Sequence, residues 1–247
     1  MKPVIALHDV SVAYRRQAAL QHVSGVLAQA SLTAVLGPNG AGKSTFLKAV
    51  LGLVPVDSGR VEIHVPRKLI AYLPQQAEID RGFPISVLDC VCLGYWQRLG
   101  SLGGLNSAMT EGAQDALRAV GLQGFERRPI GSLSAGQMQR VLFARILVQD
   151  ADVILLDEPF NAVDARTTDD LLALIRGWHA QQRTVVAVLH DHEQVRRYFP
   201  QAVLLARQLV AWGDTADVLA AANLQRARHM ADAGSAGNGD RWPELAA

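Results

Sequence analysis

The sequence predicts an α/β protein built on a mostly parallel sheet, with a helical segment inserted into it. Three observations carry this expectation. A Gly-rich loop, Gly37 to Thr45, stands between the apolar run Leu32–Leu36 and a helical stretch from Lys43 to Leu51. Apolar runs then alternate with helical stretches, an order that gives parallel strands with helices on the faces of the sheet. From about Phe83 to Leu133 the strand signals stop and a helical rhythm replaces them.

In chain order, Val4–Tyr14 and Leu20–Ala28 are β-rich, with alternating apolar positions. The helix after the loop is expected to stop at Gly52, a natural C-cap with Pro55 just beyond. Gly59–Ile63 follows an Asp-Ser-Gly turn as a short strand, and Leu69–Leu73 is another, stopped by Pro74. Within the helical stretch, Val87, Leu88, Val91 and Cys92 share a 3.6-residue period, as do Ala113, Ala116, Leu117 and Val120. The break Gly100–Gly104 separates them. A helix from Leu133 through Val148, a strand at Val153–Leu156 and an amphipathic helix at Thr168–His179 come next. Strands at Val185–Leu189 and Ala202–Leu205 complete the expected sheet. After about Ala231 the chain turns to Gly, Ala, Ser and Asp, which predicts a frayed tail over 231–247.

Composition narrows the function classes. With 247 residues, 49% of them apolar, the chain can bury a sizeable core. A net charge of +1 gives no electrostatic footprint for nucleic acid. Cys90 and Cys92 are the two cysteines, spaced i, i+2, which excludes a disulfide framework and favours a reducing compartment. There is no signal-peptide pattern and no run of 18 apolar residues, so the expectation is a soluble chain whose membrane role, if any, runs through a partner.

The motifs carry the chemistry. Gly37-Pro38-Asn39-Gly40-Ala41-Gly42-Lys43-Ser44-Thr45 matches G-x-x-x-x-G-K-[ST] in its required strand–loop–helix context. Its backbone N–H groups and the helix N-terminus are suited to cradle a polyphosphate. Lys43 is expected to reach the β- and γ-phosphates and the Ser44 hydroxyl to ligate Mg²⁺. The strand Val153–Leu156 ends in Asp157 and Glu158, delivered to the ligand edge of a parallel sheet. Asp157 is then placed to organise Mg²⁺, and Glu158 to act as general base on the attacking water. Ser134-Ala135-Gly136-Gln137 opens a helix and makes a second anion site, or an ordinary Ser cap. Two such sites in one chain are economical in a twofold pair, where the Ser134 turn of one copy covers the nucleotide of the other.

Together these residues resemble the ATP-binding cassette (ABC) ATPase family over about Val4 to Asn223. Leu133–Gln137 resembles its signature loop, with Ala135 where the family usually has Gly, and Val153–Pro159 its second nucleotide strand. The resemblance implies a phosphate-loop NTPase fold with a RecA-like core over about 1–82 and 134–230. It also implies an N-terminal antiparallel β subdomain and a helical subdomain over about 83–133. Tyr14 resembles the aromatic that stacks on adenine, and Gln75 the glutamine that senses Mg²⁺ and the attacking water, with Gln76 as competitor. Asp164 resembles the residue that communicates across the dimer, and His190 the switch histidine at the γ-phosphate.

The resemblance therefore implies ATP and Mg²⁺ as cofactors and a second copy of the chain as partner. Integral membrane permease subunits and, indirectly, a solute-binding protein complete the expected partners, at the cytoplasmic face of the cell membrane. Non-transport cassette ATPases acting on ribosomes or DNA, and other phosphate-loop enzymes such as kinases, are the competing readings. The first usually carry two cassettes or a long coiled coil, and the second leave Ser134–Gln137 and His190 without a role. The runs Phe83–Asp89 and Gln137–Arg145 are similar to those of zinc and manganese importer ATPases, and Asp157–Ala206 to zinc-importer ATPases of the Azt type. Siderophore, haem and cobalamin importers use related sequences.

Overall fold

The computed structural model describes residues 2–15, 17–75, 80–100, 103–161 and 163–236. The chain folds as two compact units, each drawn from separated stretches of sequence. One comprises the N-terminal residues up to Val4, Leu27–Leu32 and Ile63–Leu189; the other comprises Ile5–Val26, Thr33–Glu62 and the chain from His190 onward.

The second unit carries most of a three-stranded antiparallel sheet made of β1 (Pro3–Tyr14), β2 (Gln17–Ala28) and β4 (Ser58–Ile63), in the order β2-β1-β4. It also carries β3 (Leu32–Leu36), α1 (Lys43–Leu51), β8 (Gln201–Ala206) and β9 (Gln208–Asp214). All five residues of β3 are buried, and β3 pairs with β8 in parallel, Leu36 opposite Leu204. A strand covered on both faces reads as a continuous apolar run, which is why Leu32–Leu36 is legible in the sequence. Phe46 of α1 meets Trp212 of β9 edge to face at 6.0 Å, a geometry worth about 0.5–1.5 kcal/mol beyond burial. Gly52 ends α1 with φ 69°, as expected for a left-handed cap.

The first unit holds β5 (Ile70–Leu73), β6 (Val153–Asp157) and β7 (Thr184–Val188) as parallel neighbours. Its helices are α2 (Val87–Cys92), α3 (Trp96–Leu99), α4 (Ser107–Ala119), α5 (Ala135–Gln149) and α6 (Ala165–Ala180). Ser86 caps α2 by accepting from the Asp89 N–H, and Asn106 caps α4 by accepting from the Met109 N–H. In α6, Thr167, Leu171, Leu172, Ile175 and Trp178 are buried at helical spacing. Trp178 stacks on Phe143 of α5 at 5.9 Å.

Three sequence expectations change. The strand expected from Leu69 begins at Ile70, because Arg67–Leu69 form a 3₁₀ turn. Beyond Ala206 the sequence offered no strand, yet β9 pairs antiparallel with β8, its register shifted between Leu204 and Leu205. Arg207 makes the intervening turn with φ 60°, so the usual Asn-Gly or Asp-Gly hairpin signal is missing. The chain is helical for part of the stretch expected to fray. After α7 (His192–Tyr198) and α8 (Thr215–Val218), helix α9 (Ala221–Ala236) runs past Ala231, sustained by alanines of high helix propensity. Residues 237–247 of the expected tail lie outside the described residues.

Candidate functional site

In the second unit, β3 runs directly into the Gly-rich loop. Gly42 has φ 90°, and a Cβ there would lie 2.3 Å from the Ala19 carbonyl oxygen of β2. On the other side, a Cβ on Gly37 would lie 2.1 Å from the Leu205 carbonyl oxygen of β8. The loop is therefore wedged between two strands that only glycine lets approach. Gly40 differs, because it has φ 74° but a Cβ there would meet no atom within 4 Å. Its backbone turn alone favours glycine, and it leaves the rim of the loop open.

Lys43 is only 6% exposed. Its ammonium donates to the carbonyls of Gly37 at 2.9 Å and Pro38 at 3.0 Å, so a fixed positive charge sits inside the curl of the loop. Helix α1 starts at Lys43 behind Gly42, which offers no side-chain cap. The first turn of a helix presents N–H groups without intrahelical acceptors and the positive end of its dipole. Together with Lys43 these make an anion site suited to a polyphosphate. Ser44 and Pro38 are half-buried, Thr45 and Ala41 are buried, and Asn39 is exposed.

Two further candidates lie in this unit. Tyr14 closes β1 and is 45% exposed, so its ring is not a core aromatic. His190 is exposed and follows β7 by two residues. The neighbouring Asp191 caps α7, its Oδ1 accepting from the N–H groups of Glu193 at 2.9 Å and Gln194 at 3.1 Å. That carboxylate is accounted for as a helix cap.

The first unit gathers the other candidates. Leu73 of β5 lies opposite Leu156 of β6, so Gln75 and Glu158 leave neighbouring parallel strands at the same level, two residues past that pair. Asp157, the last residue of β6, is 0% exposed and pairs in register with Val188 of β7. Glu158 takes φ 51°, a left-handed conformation uncommon for a residue with a side chain. Its backbone therefore breaks from the strand at once, turning the half-buried carboxylate out of the sheet's alternation. Asn161 donates to Glu158 Oε2 at 3.4 Å. Gln76, the alternative to Gln75, lies outside the described residues.

Ser134 is the N-cap of α5 in a complete capping box. Its Oγ accepts from the Gln137 N–H at 3.2 Å, and its own N–H donates to Gln137 Oε1 at 2.9 Å. Ala135 and Gly136 form the first turn behind it. Asp164 caps α6, accepting from the Thr167 N–H at 2.9 Å and the Thr167 hydroxyl at 2.8 Å. The backbone hydrogen bond from Thr167, then its hydroxyl, hold the Asp164 carboxyl below the usual range.

Sequence reasoning missed the residue that links these two helix starts. Arg140 of α5 donates to the Val120 carbonyl at 3.2 Å and to the hydroxyl of Thr167, which itself donates to Asp164. The one signal for it was an arginine six residues after Ser134 in the same helix.

The family described as ABC transporter matches residues 20–161. The manganese transport system ATP-binding protein MntB of Listeria monocytogenes is 40% identical, over 84% of this chain and 88% of its own. The zinc transport system ATP-binding protein TroB of Treponema pallidum is 37% identical, over 90% of this chain and 86% of its own. Among solved structures, an inward-facing transporter assigned to the metal-chelate ABC type superposes with a TM-score of 0.81. It is 30% identical and covers 92% of this chain and 90% of its own. With motifs, fold and relatives in agreement, the chain belongs to the ABC transporter family and is an ATP-binding, ATP-hydrolysing transport ATPase.

Proposed function

We propose that this ATPase drives uptake of a divalent transition metal through separate membrane subunits, with zinc as the cargo. Two relatives alike over more than four-fifths of the chain, both ATP-binding proteins of metal transport systems, carry this reading. The similarity of Asp157–Ala206 to zinc-importer ATPases favours zinc. Manganese is the second reading, favoured by the 40% identity to the Listeria protein.

In this scheme the Gly37–Thr45 loop binds the phosphates, Lys43 neutralises the β- and γ-oxygens, and Tyr14 stacks on the base. Ser44, Gln75 and Asp157 offer hydroxyl, amide and carboxylate oxygens, the hard donors that Mg²⁺ takes. Asp157 is fully buried, where an ionised carboxylate needs a cation or hydrogen bonds to offset desolvation. The donor set fits the ion, which when bound would neutralise charge on the phosphates. Glu158 takes the proton of the attacking water as the bond to the γ-phosphorus forms. The bond from that phosphorus to the bridging oxygen breaks, and ADP and phosphate leave. His190 donates to the γ-phosphate.

Ser134, Ala135, Gly136 and Gln137 of a second copy close over the nucleotide, and Asp164 reports that closure across the pair. ATP drives such a cycle by binding the closed pair more tightly than the open one. The helical subdomain, about 83–133 within a 1–230 ATPase domain, receives the permease. Phe83, Leu93 and Trp96, each roughly half exposed or more, give that segment an apolar surface to offer. Among the described residues no helix is long and apolar enough to cross a membrane, so attachment to its cytoplasmic face runs through the permease.

Deletion of the gene tests the cargo. Growth under chelation is expected to fail and to return with added zinc. Return with manganese alone selects the second reading, and return only with iron or cobalamin overturns both.

A further inference from the structure

In the first unit, the segment from Arg81 to Leu88 is zipped antiparallel to residues 126–133. Val87 N–H donates to the Arg128 carbonyl at 2.8 Å, Leu88 N–H to Glu126 at 3.0 Å, and Ile130 N–H to Ile85 at 3.1 Å. Ser86 and Pro129 form an isolated antiparallel bridge between them. At the end of this zipper the Arg81 guanidinium donates to the carbonyl oxygen of Leu133. Gly131 makes room for the approach, since a Cβ there would fall 2.8 Å from the Arg81 carbonyl oxygen.

The Leu133 carbonyl and the Ser134 N–H are two ends of one planar peptide. Arg81 holds the oxygen end, and Gln137 Oε1 accepts from the nitrogen end at 2.9 Å. A planar unit gripped at both ends is held against rotation, and this sets the backbone from which the Ser134 Oγ accepts the Gln137 N–H at 3.2 Å. Arginine suits this task because its donors form a rigid fork.

We propose that Arg81 is a positioning residue that orients the Ser134 turn to grip the nucleotide of a second copy. This presupposes the role of Ser134 proposed above. It differs from a mere structural staple, because it acts on closure of the pair and not on binding of ATP to one copy.

The test uses the full chain carrying Glu158→Gln, which is expected to dimerise with ATP. Arg81→Ala, Arg81→Lys, Ser134→Ala and the Arg81→Ala/Ser134→Ala pair are added to it. Dimerisation is read by sedimentation, single-copy binding with a fluorescent ATP analogue, and folding by thermal melting. Arg81→Ala is expected to raise the ATP concentration for half-dimerisation about tenfold, as loss of one charge-assisted bond implies. Affinity for the analogue is expected to stay within about twofold, since Arg81 is assigned no phosphate contact. Arg81→Lys is expected to recover part of the loss, and the double variant to match Ser134→Ala, because one residue acts through the other. Effects that multiply, or a lowered melting temperature with unchanged dimerisation, overturn the proposal. If Arg81→Ala does not fold, Arg81→Met, which keeps the bulk but no donor, takes its place, and dimerisation equal to the parent overturns the proposal. Unchanged dimerisation in Ser134→Ala, or no dimer in the parent, overturns it by removing the Ser134 reading, an outcome visible before Arg81 is touched.

Discussion

The backbone N–H of Arg207 donates to the carbonyl of Ala41 at 2.9 Å, so the turn between β8 and β9 closes directly on the phosphate loop. The Arg207 carbonyl in turn accepts from Gln21 N–H at 2.7 Å, binding β2 into the same clamp. The curl of the loop is thus set from outside by two strands as well as by its own glycines.

Glycine substitutions in the loop should separate accordingly. Gly42→Ala forces a side chain to φ 90° and into the Ala19 carbonyl. Strain and overpacking together are expected to cost roughly 2–4 kcal/mol in urea denaturation. Gly40→Ala meets no neighbour and is expected to cost about 1 kcal/mol, from its left-handed backbone alone. Equal losses would show that the strand clamp does not govern the loop.

Removing the Lys43 ammonium should weaken nucleotide binding. Lys43→Ala is expected to lower ATP turnover by about a hundredfold or more, the scale of losing a buried charge donor to a phosphate. Turnover at the wild-type rate in a phosphate-release assay would contradict the assignment of this loop.

Glu158 should separate binding from chemistry. Glu158→Gln keeps the side chain's shape but not its basicity, so turnover is expected to fall by about 10²- to 10⁴-fold while ATP still binds. The trapped complex should elute as a dimer on a sizing column at saturating Mg-ATP. A monomer there counts against the twofold arrangement.

Asp164 gives a pH signature. Its folded pKa lies below the unfolded value near 4, so its stabilisation is complete above that value and is lost as pH falls through the folded one. Asp164→Ala is therefore expected to lower the melting temperature at pH 7, and the gap to wild type to close in acid. A gap that instead widened below pH 4 would mean that the Thr167 hydrogen bonds do not favour the ionised carboxylate.

Where local pattern carries the physics, the elements that bear the candidate residues were legible. The loop motif, the acid pair after a buried strand and the Ser134 helix start each depend on neighbours in the chain. Tyr14 was an aromatic at a strand end, and its 45% exposure distinguishes an offered ring from a packed one. The left-handed backbone of Glu158 carried no signal, since nothing in Asp-Glu-Pro demands it. The β8–β9 hairpin was missed because Arg207 holds its turn without the usual turn residues.

By itself the sequence determined the elements that local chemistry specifies: buried strands as apolar runs, helices by period and cap, and a phosphate loop by its glycines. Contacts joining distant segments were decided only by the tertiary structure. Arg207 on Ala41, Arg81 on Leu133 and Arg140 on Thr167 are such contacts. Each is a hydrogen bond whose partners lie many residues apart, and no periodicity or local propensity records which donor will meet which acceptor once the core has packed.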